Sequence, residues 1–272
     1  MGHRLSAFRL PASASWSHRP ASVPADSTSS TDSIRVAASV AVATIFALAP
    51  SAYAGPNADG FLVFHTDDHV SYTWEDVASY ADFAIEECPR DDCSRAEECL
   101  GFAFSIDPTA SIGSRTEPAV FWLLAAFPWT DCPRVRGVSF GLDWDPSFSP
   151  VFVGDGNCEG VSIAEPGWPS ERNSGVSVYF AWPHTEHIFP VYWFAAYAYY
   201  GAKVEVTSRG SAAAPEFADD GAPALIDEVP WHHLGAMGLG GHYGDNPMIV
   251  ESPVAMDSWG GVKRRFIPEE PR

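Results

Sequence analysis

Hydrophobic and polar residues alternate along several short stretches of this chain. In residues 135–145, large apolar side chains occupy every second position from Val138 to Trp144, and small or acidic residues fill the positions between them. The same alternation returns over residues 176–182. A period of two is the pattern of a β-strand that buries one face. The sequence therefore predicts strands at both places.

Two other stretches are apolar without alternation. Residues 119–127 form an unbroken hydrophobic run that ends at Pro128, and residues 190–200 form a second, rich in aromatic side chains. A run of this length predicts a strand buried on both faces, with a buried helix as the alternative. Gly201 is expected to turn the second run into a further strand over residues 203–207.

One short helix is expected near the start of this strand-rich region. Residues 60–65 form a short apolar strand, and Thr73–Asp76 then resembles a capping box. Apolar residues follow at helical spacing as far as Ile85, so the helix is predicted to end before Cys88. Residues 234–247 carry five glycines and are predicted to be a loop.

Together these elements predict the fold class. Many short strands with turn residues between them favour an antiparallel β-sandwich, and the absence of strand–helix alternation argues against a parallel sheet. The chain is accordingly predicted to be mainly β, with a single domain over residues 55–272. A frayed tail is expected from Lys263 onward.

The segment before this domain has the features of an export signal. Residues 36–48 are uncharged and apolar, follow Arg35, and end in Ala52-Tyr53-Ala54. These features predict a secretory signal peptide that occupies residues 1–54 and is cleaved after Ala54. The apolar run is shorter than the ~20 residues that span a bilayer. Because its basic part is long, a transit peptide or a later start codon remains an alternative for the first 35 residues.

An export signal predicts a secreted or extracytoplasmic location, in the periplasm or at the cell surface. The charge of the domain then excludes some classes of binding partner. The formal net charge is −19, and removing the signal leaves 12 basic and 33 acidic residues. Such a surface repels phosphate backbones and anionic membranes. Nucleic acid is therefore not expected as a partner, and the short apolar run argues against a membrane span. A glycan and a protein are both left open as the partner.

Five cysteines in an exported domain favour disulfide bonds. Cys132 and Cys158 bracket a strand and a turn and are predicted to form one bridge. Cys88 and Cys99 are predicted to form a second, which leaves one thiol over because the number is odd. The spacing is poor for zinc, and no histidine cluster lies nearby.

Several acidic positions are candidates for binding a cation. Residues 155–160 match the first half of a calcium loop, but the glutamate expected at its twelfth position is missing. Calcium is thus the one cofactor to consider, and otherwise none is predicted. The candidate ligands are Asp143, Asp145, Asp155, Asn157, Asp219 and Asp220.

Three further motifs have simpler interpretations. His65, Asp67 and His69 would share one face of a strand, and His232, His233 and His242 lie around the glycine-rich segment with Asp245. Both sets are more typical of polar turns than of metal sites. Ser139 lies between Gly137 and Gly141 as in a hydrolase nucleophile elbow, but the strand pattern continues through it and no helix follows. No catalytic residue is therefore predicted.

Several segments together resemble a group of uncharacterised exported bacterial proteins known mainly from environmental genomes. The resemblance covers roughly residues 55–250 and rests on segments 125–128, 133–141, 156–158, 191–197 and 217–220. It implies a secreted, strand-rich protein and carries no established activity. Relatives tend to have a cysteine near Asn246–Met248, where this chain has none.

The preferred functional interpretation is a non-enzymatic exported binding module. One alternative is a secreted carbohydrate-active hydrolase that uses an Asp/Glu pair, which needs no sequence signature. Another is a structural component of an envelope or extracellular assembly. Two carboxylates facing each other across a cleft would favour the hydrolase, and a long unpaired apolar edge strand would favour assembly.

Overall fold

The computed structural model describes residues 54–85, 100–103, 105–210 and 212–247. All of them belong to one unit that spans Ser51–Arg272. Eleven strands run through this part of the chain, and every pairing between them is antiparallel. In chain order they are β1 (Phe61–Ser71), β2 (Ala119–Ala126), β3 (Val135–Trp144), β4 (Val151–Asn157), β5 (Val161–Ala164), β6 (Gly175–His184), β7 (Ile188–Tyr197), β8 (Ala202–Thr207), β9 (Glu216–Ala218), β10 (Ile226–Glu228) and β11 (Ala236–Leu239).

The strands form two sheets, which confirms the predicted antiparallel β-sandwich. The small sheet has the order β1-β2-β7-β4. The large sheet has the order β10-β9-β3-β6-β5, and β8 joins it by pairing with both β3 and β11. Strands β9 and β8 pair with successive stretches of β3, Gly137–Ser139 and Gly141–Trp144 respectively.

The main core lies between the two sheets. Strand β3 contributes Val138, Phe140, Leu142 and Trp144, as its alternation predicts. Their positions between the sheets follow from the period of two, because every second side chain of a strand points the same way.

The two central strands of the small sheet, β2 and β7, are buried on both faces. On β2, Phe121 and Leu123 face the core between the sheets, whereas Trp122 and Leu124 belong to a second cluster on the other face. Tyr80 closes that second cluster, and Trp122 Nε1 donates a 2.9 Å hydrogen bond to its carbonyl oxygen. This double burial explains why β2 is an unbroken apolar run.

The predicted helix is shorter than expected. Helix α1 covers only Val77–Ala81, and Trp74 before it is exposed. The reason is that the hydroxyl of Tyr80 bonds to the backbone of Ser71 and Thr73, which ties one turn of helix back to the end of β1. A second short helix, α2, covers Leu100–Ala103.

The prediction of a loop over residues 234–247 is wrong in part, because β11 lies within it. Backbone segments approach each other closely here. A Cβ on Gly244 would lie 2.1 Å from the carbonyl oxygen of Ala236, and one on Gly238 would lie 2.2 Å from that of His242. The glycines therefore serve close packing of main chains as well as turns.

The predicted bridge between Cys132 and Cys158 is also wrong. Cys158 is a free thiol that packs against the cluster containing Trp193 on the small sheet, whereas Cys132 lies in an exposed loop before β3. Cys132 is itself disulfide-bonded. Cys88 and Cys99 lie outside the described residues, so their predicted pairing stays a prediction.

Candidate binding surface on the large sheet

On the side of the large sheet that faces away from the core, two rows of side chains run across the strands. Strand register defines both rows, because residues directly opposite each other on neighbouring strands lie on the same face. The first row runs across five strands through Val161, Tyr179, Gly137, Ala218 and Ile226. The second row, two residues further along each strand, runs through Ile163, Ser177, Ser139, Glu216 and Glu228.

Three side chains of the first row are apolar and exposed, and they flank the small residues Gly137 and Ala218. Val161, Tyr179 and Ile226 are 66%, 49% and 53% exposed, and Ile163 at the end of the second row is 55% exposed. Scattered single apolar residues are normal on a surface, but a contiguous set marks an interaction site more often than chance. We call the two rows together the outer face.

A groove of about 550 Å³ lies along the outer face. Its floor is low because Gly137 and Ala218 occupy the middle of the apolar row. The ring of Tyr179 lies beside Gly137, where an added Cβ would come within 3.3 Å of ring carbon Cδ1. Small residues in the centre and larger apolar residues at the sides make this part of the sheet concave.

The polar part of the groove is held by its own hydrogen bonds. The hydroxyls of Ser139 and Ser177 lie 3.0 Å apart, and Arg209 Nη1 donates a 2.6 Å bond to Ser177 Oγ. Arg209 Nε lies 3.4 Å from Glu165 Oε1, and Glu165 Oε2 accepts a bond from the backbone of Gly175. Ser139 thus bonds to a second serine, and it lies inside the straight strand β3 and not at the strand-to-helix turn that a nucleophile elbow requires.

One pair of acids on the outer face lacks a counter-charge. Glu216 and Glu228 are directly opposite on β9 and β10. Like charges in that position repel. Within the described residues neither glutamate has a cationic partner at ion-pair distance, and the nearby Arg209 is paired with Glu165.

The same sheet contains a second pair of opposed acids that is compensated. Asp143 and Glu205 are directly opposite on β3 and β8. Arg172 Nε lies 2.7 Å from Asp143 Oδ1, and Lys203 Nζ lies 3.1 Å from Glu205 Oε1. Asp143 and Glu205 are therefore each neutralised by a basic residue, whereas the described residues place no basic residue at ion-pair distance from Glu216 or Glu228.

The acidic residues predicted to bind a cation are spread over the molecule. Asp143 and Asp145 lie at one end of β3, whereas Asp219 and Asp220 follow β9, which pairs with the other end. Gly137 and Asp143 are six positions apart along β3, which separates these ends by roughly 20 Å. That distance exceeds the 5–10 Å that a pair of glycosidase acids needs.

Each predicted ligand at the two ends of β3 has a structural role instead. Asp145 accepts a bond from the backbone of Ser147 in a turn, and Asp219 accepts bonds from the backbones of Gly221 and Leu225. The guanidinium of Arg134 pairs with Asp220 and lowers the pKa of that carboxyl through hydrogen bonding.

The calcium-loop motif is likewise part of the fold. Asp155 Oδ2 accepts a 2.7 Å bond from the hydroxyl of Tyr192, whose oxygen accepts a 3.1 Å bond from Trp168 Nε1. Asn157 spans a turn, because its Nδ2 donates to the carbonyl oxygens of Glu159 and Gly160. In the described ranges, no group of three or more His, Cys, Asp or Glu residues is arranged to hold a metal ion.

The histidine motifs are packed against aromatic rings. His65 contacts Phe102 at 5.1 Å between ring centroids, and its burial lowers its pKa. His233 stacks on Phe61 at 3.9 Å, whereas His242 contacts Phe148 at 6.4 Å. The predicted polar turn at His65, Asp67 and His69 is wrong, because all three residues lie within strand β1.

Sequence reasoning missed a buried polar cluster on the hairpin between β6 and β7. His184 Nδ1 lies 3.1 Å from Glu186 Oε2, and His184 Nε2 lies 3.4 Å from Glu159 Oε2. Burial raises the pKa of Glu186, but the hydrogen bond and charge of His184 outweigh that effect and leave it below its ordinary value. The free thiol of Cys158 lines the same small cavity, of about 240 Å³, and burial raises its pKa, so it is not poised as a nucleophile.

Comparison with known proteins gives structural matches alone, since no family model and no curated protein matches the chain. One match is the cohesin module of a Clostridium perfringens family 33 glycoside hydrolase, at 6% identity and a TM-score of 0.32, covering 49% of this chain and 89% of that one. Another is the sixth cohesin of Acetivibrio cellulolyticus scaffoldin B, in complex with a dockerin, at 12% identity and a TM-score of 0.33, covering 48% and 94%. None of the helices in the described ranges is long and apolar enough to cross a membrane.

Proposed function

We propose that this protein is an exported binding module whose outer face binds a basic protein partner. The observation that carries the proposal is the in-register row across five strands, in which Val161, Tyr179 and Ile226 expose apolar side chains around the small residues Gly137 and Ala218. Burying such surface contributes about 25 cal/mol per Å² removed from water.

The charge of the partner follows from Glu216 and Glu228. Bringing a lysine or arginine between these opposed carboxylates removes their repulsion and adds a charge-assisted hydrogen bond. Arg134 and Arg136 lie beside Asp220, towards the other end of the groove. The partner therefore needs its basic residue only at the second row, beside Glu216 and Glu228. The net charge of −19 favours approach of a basic partner over the whole surface.

The spacing between the two rows limits how the partner presents its residues. Two residues along β9 separate Ala218 from Glu216, which is about 7 Å. An apolar and a basic side chain at positions i and i+2 of a strand, or i and i+3 or i+4 of a helix, span a similar distance. The partner is therefore expected to combine one apolar anchor with a nearby Lys or Arg.

The test uses a phage-displayed library of random peptides selected on the immobilised protein. The variant Ile163→Asp places a charge on the outer face. Val153→Asp is its matched control, because Val153 is an exposed apolar strand residue on β4 at the edge of the small sheet. Selected peptides are expected to bind the wild type and the Val153→Asp variant, to lose at least about tenfold in affinity on Ile163→Asp, and to carry excess Lys and Arg.

Two results would count against the proposal. Peptides that bind Ile163→Asp as tightly as wild type would show that the outer face is not the binding surface. Peptides that depend on Ile163 but keep their affinity when Glu216→Gln and Glu228→Gln are combined, and when salt is raised, would show that the partner need not be basic. Urea unfolding of each variant checks that the fold is intact.

A further inference from the structure

A buried carboxylate holds the first described residues of the domain in place. The backbone nitrogen of Gly55 donates a 2.7 Å hydrogen bond to Asp227 Oδ1, and the backbone nitrogen of Asn57 donates a 3.0 Å bond to Asp227 Oδ2. Asp227 belongs to β10 and is only 7% exposed. Two backbone donors therefore converge on one side chain 170 residues away.

Glycine at position 55 lets the backbone lie directly against Asp227. A Cβ there would lie 2.3 Å from Asp227 Oδ2 and 2.7 Å from Oδ1, so a larger residue would have to displace the carboxylate. Asn57 fixes the same segment a second time, because its side chain accepts a 2.8 Å bond from the backbone nitrogen of Arg134. The nitrogen of Gly55 is thus held against the carboxylate by contacts on both sides.

Among the described residues, the only hydrogen-bond donors to the Asp227 carboxylate are backbone amides. Within the described residues no Lys, Arg or His lies at ion-pair distance from it, and two neutral amides are its donors. A buried carboxylate without a counter-charge is costly, and a cation that reaches it stabilises the fold. The geometry therefore leaves room for one positive charge at the nitrogen of Gly55.

Signal cleavage would create that charge. We propose that the bond between Ala54 and Gly55 is the processing site, and that the new α-ammonium group of Gly55 forms a half-buried ion pair with Asp227. A signal peptidase adds water across this peptide bond, so Ala54 leaves with a carboxylate and the nitrogen of Gly55 becomes an amine that takes up a proton. This inference does not depend on the binding function proposed above.

The contact between Gly55 and Asp227 also indicates whether signal cleavage comes before or after folding. A peptidase needs the scissile bond in an extended, accessible segment, but the folded domain pins Gly55 against Asp227. Cleavage is therefore expected before folding, after which the ammonium group locks β10 to the start of the domain. Cleavage adds an attraction between two opposite charges to a hydrogen bond that the Gly55 amide already donates to this carboxylate, so the processed protein is expected to be more stable than its precursor.

The experiment compares the precursor with the exported product of the full chain. N-terminal sequencing of the product is expected to begin at Gly55. Urea unfolding is expected to give the product a folding constant roughly 5- to 30-fold larger than that of the export-blocked precursor. In Asp227→Asn, which keeps the shape and an acceptor oxygen, this ratio is expected to fall to about one. The matched control is Asp145→Asn, a turn carboxylate in which the ratio should remain as in wild type.

An N-terminus other than Gly55, or an equal ratio in Asp227→Asn and wild type, would overturn the inference. If Asp227→Asn does not fold, acetylation of the wild-type protein under native conditions tests the same ion pair. A Gly55 amine paired with Asp227 is expected to react more slowly than the exposed ε-amine of Lys203, and to lose that protection in urea. A Gly55 amine that is as reactive in the native state as in urea would contradict the ion pair.

Discussion

At the scale of single residues, polar groups that look like ligands in the sequence are bonded inside the fold. Asp155 shows this best, because Tyr192 and Trp168 extend its hydrogen bond into a chain of three side chains. Burial raises the pKa of Asp155, although the bond from Tyr192 opposes the shift. Burial and Asp155 together raise the pKa of Tyr192 as well. The carboxyl group therefore stabilises the sandwich most in its neutral form.

Substituting Asp155 by Asn tests this interpretation through pH. A carboxyl whose folded pKa is raised gives its full stability below the ordinary value, near 4, and loses it as pH rises through the folded pKa. Asp155→Asn keeps an acceptor for Tyr192 without a charge. It is expected to stabilise the protein at pH 7 by up to about 1 kcal/mol, a figure reduced for partial exposure, and to have little effect near pH 3.

Urea unfolding at both pH values measures the effect. Asp145→Asn is the control. Hydrogen bonds from Ser147 lower the pKa of this exposed carboxyl, so its substitution is expected to change the stability at pH 7 in the opposite direction. Destabilisation of Asp155→Asn at pH 7 would show that the ionised group is needed.

Cysteine pairing marks the limit of prediction at this scale. Cys132 and Cys158 have a plausible separation in sequence, but spacing does not say which face of a sheet a side chain occupies. Cys158 comes directly after β4 and packs with Tyr80 and Trp193, a cluster that forms only when helix α1 covers the small sheet. Long-range packing of this kind is invisible in a local pattern.

At the scale of elements, the edge of β1 is closed by a side chain. Asn246 Oδ1 accepts a 2.9 Å bond from the backbone nitrogen of Phe64, and its Nδ2 donates 2.7 Å and 2.9 Å bonds to the carbonyl oxygens of Phe64 and Asp107. Gly235 adds a bond to the carbonyl oxygen of Leu62. An edge covered in this way is not available for strand addition, which weakens the assembly alternative for this edge.

Asn246→Ala is expected to destabilise the protein. The backbone nitrogen of Phe64 would be left buried without an acceptor, which costs about 1–3 kcal/mol. Asn157→Ala is the matched control, because that amide spans a partly exposed turn and water can replace its bonds. The midpoint of urea unfolding measures both variants. Equal midpoints for the Asn246→Ala variant and wild type would show that the edge of β1 does not need this amide.

Alternation predicts long strands well and short ones poorly. Strands β3 and β6 were predicted because each spans ten residues, enough for the period of two to stand out. Strands β9 and β10 have three residues each and were not predicted. The outer face was missed for the same reason, because β9 and β10 bring Glu216 and Glu228 into register and their pairing depends on β3.

At the scale of the whole molecule, the two sheets have different surroundings. The central strands of the small sheet, β2 and β7, are covered on both faces, which accounts for their continuous apolar runs. The large sheet buries one face and leaves the other open, and the open face holds the apolar row and the uncompensated acids. In an acidic chain of this kind, the excess carboxylates either bind a cation or lie on the surface in contact with solvent.

The structure favours surface charge over a calcium site, and thermal unfolding can distinguish the two. Ligands for calcium must converge on one point, yet the six predicted residues lie at separate places, where Asp143, Asp155 and Asp220 already bond to Arg172, Tyr192 and Arg134. Calcium chloride is therefore expected to shift Tm no more than sodium chloride of equal ionic strength, which screens the same surface charge. EDTA is expected to leave Tm unchanged. A rise of several degrees that is specific to calcium, reversed by EDTA and lost in Asp155→Asn, would instead place a real site at the calcium-loop motif.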